Sequence, residues 1–206
     1  HDALPIYGYY GTAYAIYSMI LMIATYSIPT AVSKIISGKL ALGEYRNARR
    51  VFKCAFIYVV SVGLVAAVLT FAFAPALVKE QPNAILSLQI LAPTIFLSGF
   101  LAIYRGYLQA YKTMIPTSIS QIIEQIANAV VSVLAAYLMS RPFVPGTSEH
   151  AKYGAAGSAM GTGAGVLCGI IYILIAYAGR RKEIMETVES DVSSNVESYG
   201  KLFRAD

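Results

Sequence analysis

The chain has 206 residues and a formal net charge of +5, with 57 % hydrophobic and only 13 % charged residues, and its mean hydropathy is +0.59. Soluble domains carry about 25 % charged residues, so this composition argues against an ordinary soluble globular protein and for a membrane protein. High apolar content also argues against a disordered chain.

A bilayer core about 30 Å thick needs roughly 20 apolar residues in a helix. Five such runs follow one another, at approximately residues 9–36, 51–78, 84–107, 115–139 and 154–179. None alternates apolar and polar residues with period two, so strands are not expected. The fold class read from this pattern is all-α, a polytopic transmembrane helix bundle with five visible spans.

The loops set the expected orientation. After the first run come Lys34, Lys39, Arg46, Arg49, Arg50 and Lys53 against the single acid Glu44. After the third come Arg105 and Lys112, and after the fifth Arg180, Arg181 and Lys182. The intervening loops hold Lys79 beside Glu80, and Arg141 and Lys152 with Glu149. Lys/Arg-rich short loops stay cytoplasmic. Residue 1 is therefore expected outside and the C-terminal tail inside. The same placement of bases speaks for membrane topology rather than a nucleic-acid patch, and no nucleic-acid partner is expected.

An odd number of spans with an outside start implies one helix before residue 1, giving six helices with both ends inside. Residues 183–206 are polar and acidic, with Glu183, Glu186, Glu189, Asp191 and Glu197. They read as a cytoplasmic linker or surface helix, which divides the chain into a transmembrane half-bundle over 1–182 and a linker over 183–206.

The fourth run carries Gln121, Glu124, Gln125, Asn128 and Ser132 at steps of three and four, one polar stripe on an otherwise apolar helix. An ionisable group in a membrane helix is costly and normally faces a partner or a water-filled cavity. The stripe reads as the wall of a hydrophilic cavity or as interhelical hydrogen-bond glue. Arg105 lies about two turns before the end of the third run, with Gln109 one turn on. It can snorkel to the interface, contact an anion, or pair with Glu124.

Gly157, Gly161, Gly165 and Gly169 recur every four residues on the fifth run, the small-residue ridge that lets two membrane helices approach closely. Pro29, Pro75, Pro93 and Pro116 lie in or at the ends of apolar runs and serve as kinks or helix starts. There are 16 Tyr and no Trp. Tyr7, Tyr10, Tyr14 and Tyr17 share one helical face, either an interfacial aromatic belt or a cavity wall.

Cys54 and Cys168 are far apart in apolar stretches and suggest neither a disulfide nor a metal site. His1 and His150 fall outside the expected spans. Asp occurs only at positions 2, 191 and 206. No set of residues for acid–base, nucleophilic or metal chemistry assembles, so an enzyme is not expected, and neither is a cofactor or a metal.

The stretch from Arg105-Gly106-Tyr107-Leu108-Gln109 through Met114-Ile115-Pro116-Thr117-Ser118-Ile119-Ser120-Gln121 to Glu124-Gln125 resembles the signature of a transporter family. That family is the polysaccharide-transporter branch of the multidrug/oligosaccharidyl-lipid/polysaccharide (MOP) exporter superfamily, the SpoVB/YtgP-like proteins akin to the MurJ lipid II flippases. Ser27-Ile28-Pro29-Thr30-Ala31-Val32-Ser33-Lys34 and the glycine-rich last run resemble further elements of that branch.

The resemblance implies a two-lobed exporter of 12 to 14 helices working by alternating access. This chain would supply helices two to six of the N-terminal lobe and the inter-lobe linker. The partners implied are a lipid-linked saccharide, membrane lipids, and the first helix and second lobe of the same protein, in a bacterial cytoplasmic membrane. By the same resemblance, Lys34 and Arg105 become candidate pyrophosphate contacts and Glu124 a candidate gate or coupling residue. The function expected is a flippase for an undecaprenyl-pyrophosphate-linked oligosaccharide or peptidoglycan precursor. A cation-coupled multidrug exporter of the same superfamily and a non-transporting scaffold are the alternatives.

Overall fold

A computed structural model of the chain describes residues 3–22 and 27–190. Among these the chain is helical throughout, with no strand: α1 (Ala3–Leu21), α2 (Ser27–Ala41), α3 (Tyr45–Leu77), α4 (Ile85–Ala110), α5 (Ile115–Ser140) and α6 (Ser148–Glu189). A 3-10 turn, Pro82–Ala84, leads into α4. Helices are what lipid demands, because each satisfies its own backbone donors and acceptors where no water can. Four segments are long and apolar enough to cross a membrane: Tyr45–Leu77, Pro82–Ala110, Ile115–Ser140 and Ser148–Glu189. The protein is a multi-pass membrane protein.

The first apolar run differs from a single span. It forms α1 and α2 on either side of residues 23–26, which lie outside the described residues. The tyrosines of α1 lower its hydropathy, and the 15 residues of α2 span only about 22 Å, short of a bilayer core. Elsewhere the helices outrun the apolar stretches. α3 starts at Tyr45 and α6 runs on to Glu189, so that the 42 residues of α6 reach about 63 Å, roughly twice the hydrocarbon thickness. Hydropathy marks only the part of a helix that sits in lipid, whereas Arg, Lys, Glu and Met carry the helix onward into water. The expected outside position of residue 1, and the tail beyond Ser190, lie outside the described residues.

α4 is the hub, packing against α1, α2, α3 and α6. Its buried side chains enter three apolar clusters in succession. Leu88, Leu91 and Ile95 meet Ala13, Tyr17, Ala74 and Val78 at one end. Leu101 and Leu108 meet Val166, Ile170 and Ile173 in the middle. Ile103, Tyr107 and Ala110 meet Val32, Ile36, Val51 and Ile184 at the other end. This last cluster gathers the end of α2, the start of α3 and the end of α6, so the Lys/Arg-rich segments converge on one end of the bundle. There Arg180 on α6 donates to Thr113 Oγ1 in the α4–α5 turn.

α5 packs chiefly against α6 and only slightly against α4. The glycine ridge makes this seam possible. A methyl group on Gly157 would lie 2.5 Å from the backbone nitrogen of Ala136, one on Gly161 2.5 Å from that of Ser132, and one on Gly165 2.6 Å from the Glu124 carbonyl. The outward faces of α3 and α5 expose Ile57, Val65, Phe73, Ile122, Val133 and Leu138. Lipid tails solvate such a surface as well as a protein core does.

Gly161→Ala is therefore expected to destabilise the purified protein by about 1–3 kcal/mol, because the α5 backbone must move away. Gly179→Ala, where nothing lies within 4 Å, is expected to be neutral or slightly stabilising. Thermal unfolding of both variants in one detergent checks the pair.

Candidate functional site

Because α5 hangs on α6 and stands off from α4, a polar cleft of about 440 Å³ opens between them, closed on its remaining side by α1 and the start of α2. Of the stripe read from the sequence, Gln121, Glu124, Gln125 and Asn128 line this cleft, and so does Arg105 from α4. The cleft lies in the halves of α4 and α5 nearer the basic end, since its lining on those helices runs from Ser98 to Gln109 and from Thr117 to Asn128.

Arg105 is anchored across the cleft rather than reaching along its own helix. Its Nη2 donates to Glu124 Oε2 at 2.7 Å. Nη2 and Nε also donate to Ser120 Oγ, at 2.7 and 3.2 Å. Ser120, fully buried, in turn donates to the Gly169 carbonyl of α6 at 3.3 Å. A methyl group at position 169 would lie 3.4 Å from Arg105 Nη2 and 3.5 Å from Ser120 Oγ, so the last ridge glycine leaves room for this junction of three helices. With side chains only 15 % and 22 % exposed, the Arg105 and Glu124 charges are largely removed from water and each lowers the cost of burying the other.

The stripe divides towards its far end. Ser132 turns to α6, where its hydroxyl lies 3.0 Å from both the Ser158 carbonyl and Asn128 Oδ1. Asn128 thus borders the cleft while touching the packing seam. On α1, Tyr14 and Tyr17 form part of the cleft wall. Their rings stand 5.6 Å apart, and Tyr17 is tied to Ser98 at 3.2 Å. Tyr10 contacts Thr162 on α6, also at 3.2 Å.

Lys34 is exposed on α2 and does not line the cleft. Thr30, four residues earlier and hence on the same helix face, does. Sequence reasoning missed Ser120 and Thr117 as site residues. Ser120 stands four residues before Glu124, so the spacing that marked the stripe also marks it. Thr117 begins the same face one turn earlier, and its buried hydroxyl has no partner among the described residues. Arrangements of this kind accept a polar, partly anionic solute. Amides and hydroxyls replace water, a guanidinium offers directed donors, and a carboxylate offers an acceptor.

Comparison with known proteins agrees with a membrane transport role. The sequence model of a family described as "Polysaccharide biosynthesis protein" matches residues 6–196. The chain is similar to the lipid II flippase MurJ of Bacillus subtilis (strain 168), 23 % identical over 199 residues that cover 91 % of this chain and 36 % of the relative. It is also similar to the stage V sporulation protein B of the same organism, 22 % identical over 191 residues that cover 89 % of this chain and 36 % of the relative. The chain thus spans about a third of the length of these curated relatives. No solved structure matches.

Breaking a largely buried ion pair from one side leaves a lone charge. Glu124→Ala alone is expected to destabilise by about 2–3 kcal/mol and the double variant Arg105→Ala/Glu124→Ala by less than the sum of the two singles. A double-mutant cycle on thermal unfolding in lipid nanodiscs measures this; strict additivity would show that the pair is not coupled.

Proposed function

The chain belongs to the polysaccharide biosynthesis protein family, and on that premise we propose that it forms part of a flippase that moves a lipid-linked saccharide across the cytoplasmic membrane. The substrate class proposed is an undecaprenyl-pyrophosphate-linked oligosaccharide or peptidoglycan precursor. In this reading residues 1–182 are helices two to six of an N-terminal lobe, and 183–206 lead towards a second lobe. The Lys/Arg-rich end is cytoplasmic, which puts the cleft in the inner half of the bilayer, where such a precursor is made available.

The observation that carries the reading is the Arg105–Glu124 pair on an amide-lined cleft within membrane-spanning helices. A saccharide pyrophosphate cannot enter hydrocarbon unaided, because an unpaired buried charge is very expensive. Gln121, Gln125 and Asn128 stand in for water around the sugar. Arg105 meets the pyrophosphate, and exposed Lys34, on the face of Thr30, attracts the headgroup at the cleft's basic rim. Glu124 holds Arg105 while the cleft is empty and acts as the gate. No bond is broken in this cycle: alternation of the open side does the work, and the protein is not an enzyme. The pairing of Glu124 with Arg105 disfavours a cation-coupled drug exporter, which needs an acid available to its coupling ion.

In cells depleted of the native-length protein and lacking any redundant flippase, lipid-linked saccharide is expected to accumulate at the inner leaflet. Wild type should restore its exposure outside, whereas Arg105→Ala and Glu124→Ala should not, at equal protein levels. Unchanged outer-leaflet precursor on depletion would remove the flippase reading in favour of a drug-export or scaffold role.

A further inference from the structure

The polar groups of the cleft divide into those that hold Arg105 and those left over. A guanidinium has five N–H donors in a rigid fork. Three are used: Nε and one Nη2 hydrogen on Ser120, the other Nη2 hydrogen on Glu124. Both N–H bonds of Nη1 lack an acceptor among the described residues. Ser120 Oγ is saturated, since it accepts twice from Arg105 and gives its one hydrogen to Gly169. This fixes which edge of the fork is spent and which remains.

Three residues before Ser120, and so one turn nearer the basic end, Thr117 stands on the cleft wall, 5 % exposed. Its hydroxyl is buried without a partner, although buried hydroxyls are nearly always bonded. Two unmatched donor groups, one cationic and one neutral, thus border the same polar space.

We propose, resting on the flippase reading above, that Arg105 Nη1 and the Thr117 hydroxyl form a subsite for a single phosphate group of the lipid-linked substrate. The two N–H bonds of Nη1 point at phosphate oxygens, and rotation about the Thr117 side-chain bond brings its O–H to a third acceptor. Ser120 is the positioning residue that keeps the fork in this attitude. Glu124 is the carboxylate next to the subsite; it cancels the formal charge of Arg105, so the phosphate is held by placed donors and not by net charge. A cargo group that has to leave again suits such a site. Lysine cannot replace Arg105 here, because the three donors of one ammonium are consumed by Ser120 and Glu124.

The test uses the native-length protein in detergent, with binding of undecaprenyl pyrophosphate and of undecaprenol read by native mass spectrometry. Wild type is expected to prefer the pyrophosphate. Arg105→Lys should weaken that binding about tenfold despite keeping the charge, Thr117→Val by a smaller but clear factor, and Thr117→Ser should bind as wild type. Binding of undecaprenol should be the same in all four proteins, which also reports that the variants are folded. If wild type does not distinguish the two lipids, the headgroup reading falls and the subsite with it. If wild type distinguishes them but either Arg105→Lys or Thr117→Val binds pyrophosphate as wild type does, the subsite is overturned while the flippase reading stands.

Discussion

α5 is held by a single seam, the row of glycines on α6 that lets two backbones come together without side chains between them. In lipid, no hydrophobic effect drives helices to associate, so close packing and interhelical hydrogen bonds must do it. Gly157, Gly161 and Gly165 put α5 so near that even a methyl group would strike its backbone. Ser132 adds a hydroxyl contact to the Ser158 carbonyl within the seam. Because that seam suffices, α5 need not pack on α4, and the gap between them becomes the polar cleft. The same ridge ends at Gly169, where the missing side chain leaves space for Ser120 and Arg105. Packing and site are therefore consequences of one pattern of small residues.

The cleft puts opposite charges where water is scarce. The Arg105–Glu124 pair joins α4 to α5 where their packing is thinnest, and Ser120 extends the link to α6. Such a pair contributes little net stability, because its desolvation offsets most of the attraction. Its value lies in specifying one geometry: an arginine without Glu124 and Ser120 would have many places to point. The rest of the bundle is conventional apolar packing on α4, with aromatic rings of Phe52, Tyr104, Tyr107 and Tyr177 filling the basic end.

A solute cleft bordered by Gln, Asn, Tyr, Arg and Glu has the composition needed to replace a hydration shell piece by piece. Membership of the polysaccharide biosynthesis protein family, together with similarity to a lipid II flippase, makes a lipid-linked saccharide the natural candidate. The chain covers about a third of those relatives.

The sequence by itself determined the all-α membrane architecture, since apolar runs of bilayer length with basic loops between them leave few other solutions. It also determined which residues share a face: steps of three and four put Gln121, Glu124, Gln125 and Asn128 together, and steps of four aligned the glycines. Periodicity says what lies on one face of a helix but not what that face meets. Only the tertiary structure decided that Arg105 pairs with Glu124, that Ser132 leaves the stripe for the α6 seam, that Lys34 stays outside the cleft, and that Ser120 and Thr117 belong to it. Each of these depends on the rotation and separation of neighbouring helices, which side-chain volume at the glycine ridge sets and no single-helix pattern encodes. Helix ends escaped the sequence for a related reason, as hydropathy follows the lipid boundary while hydrogen bonding carries α3 and α6 past it.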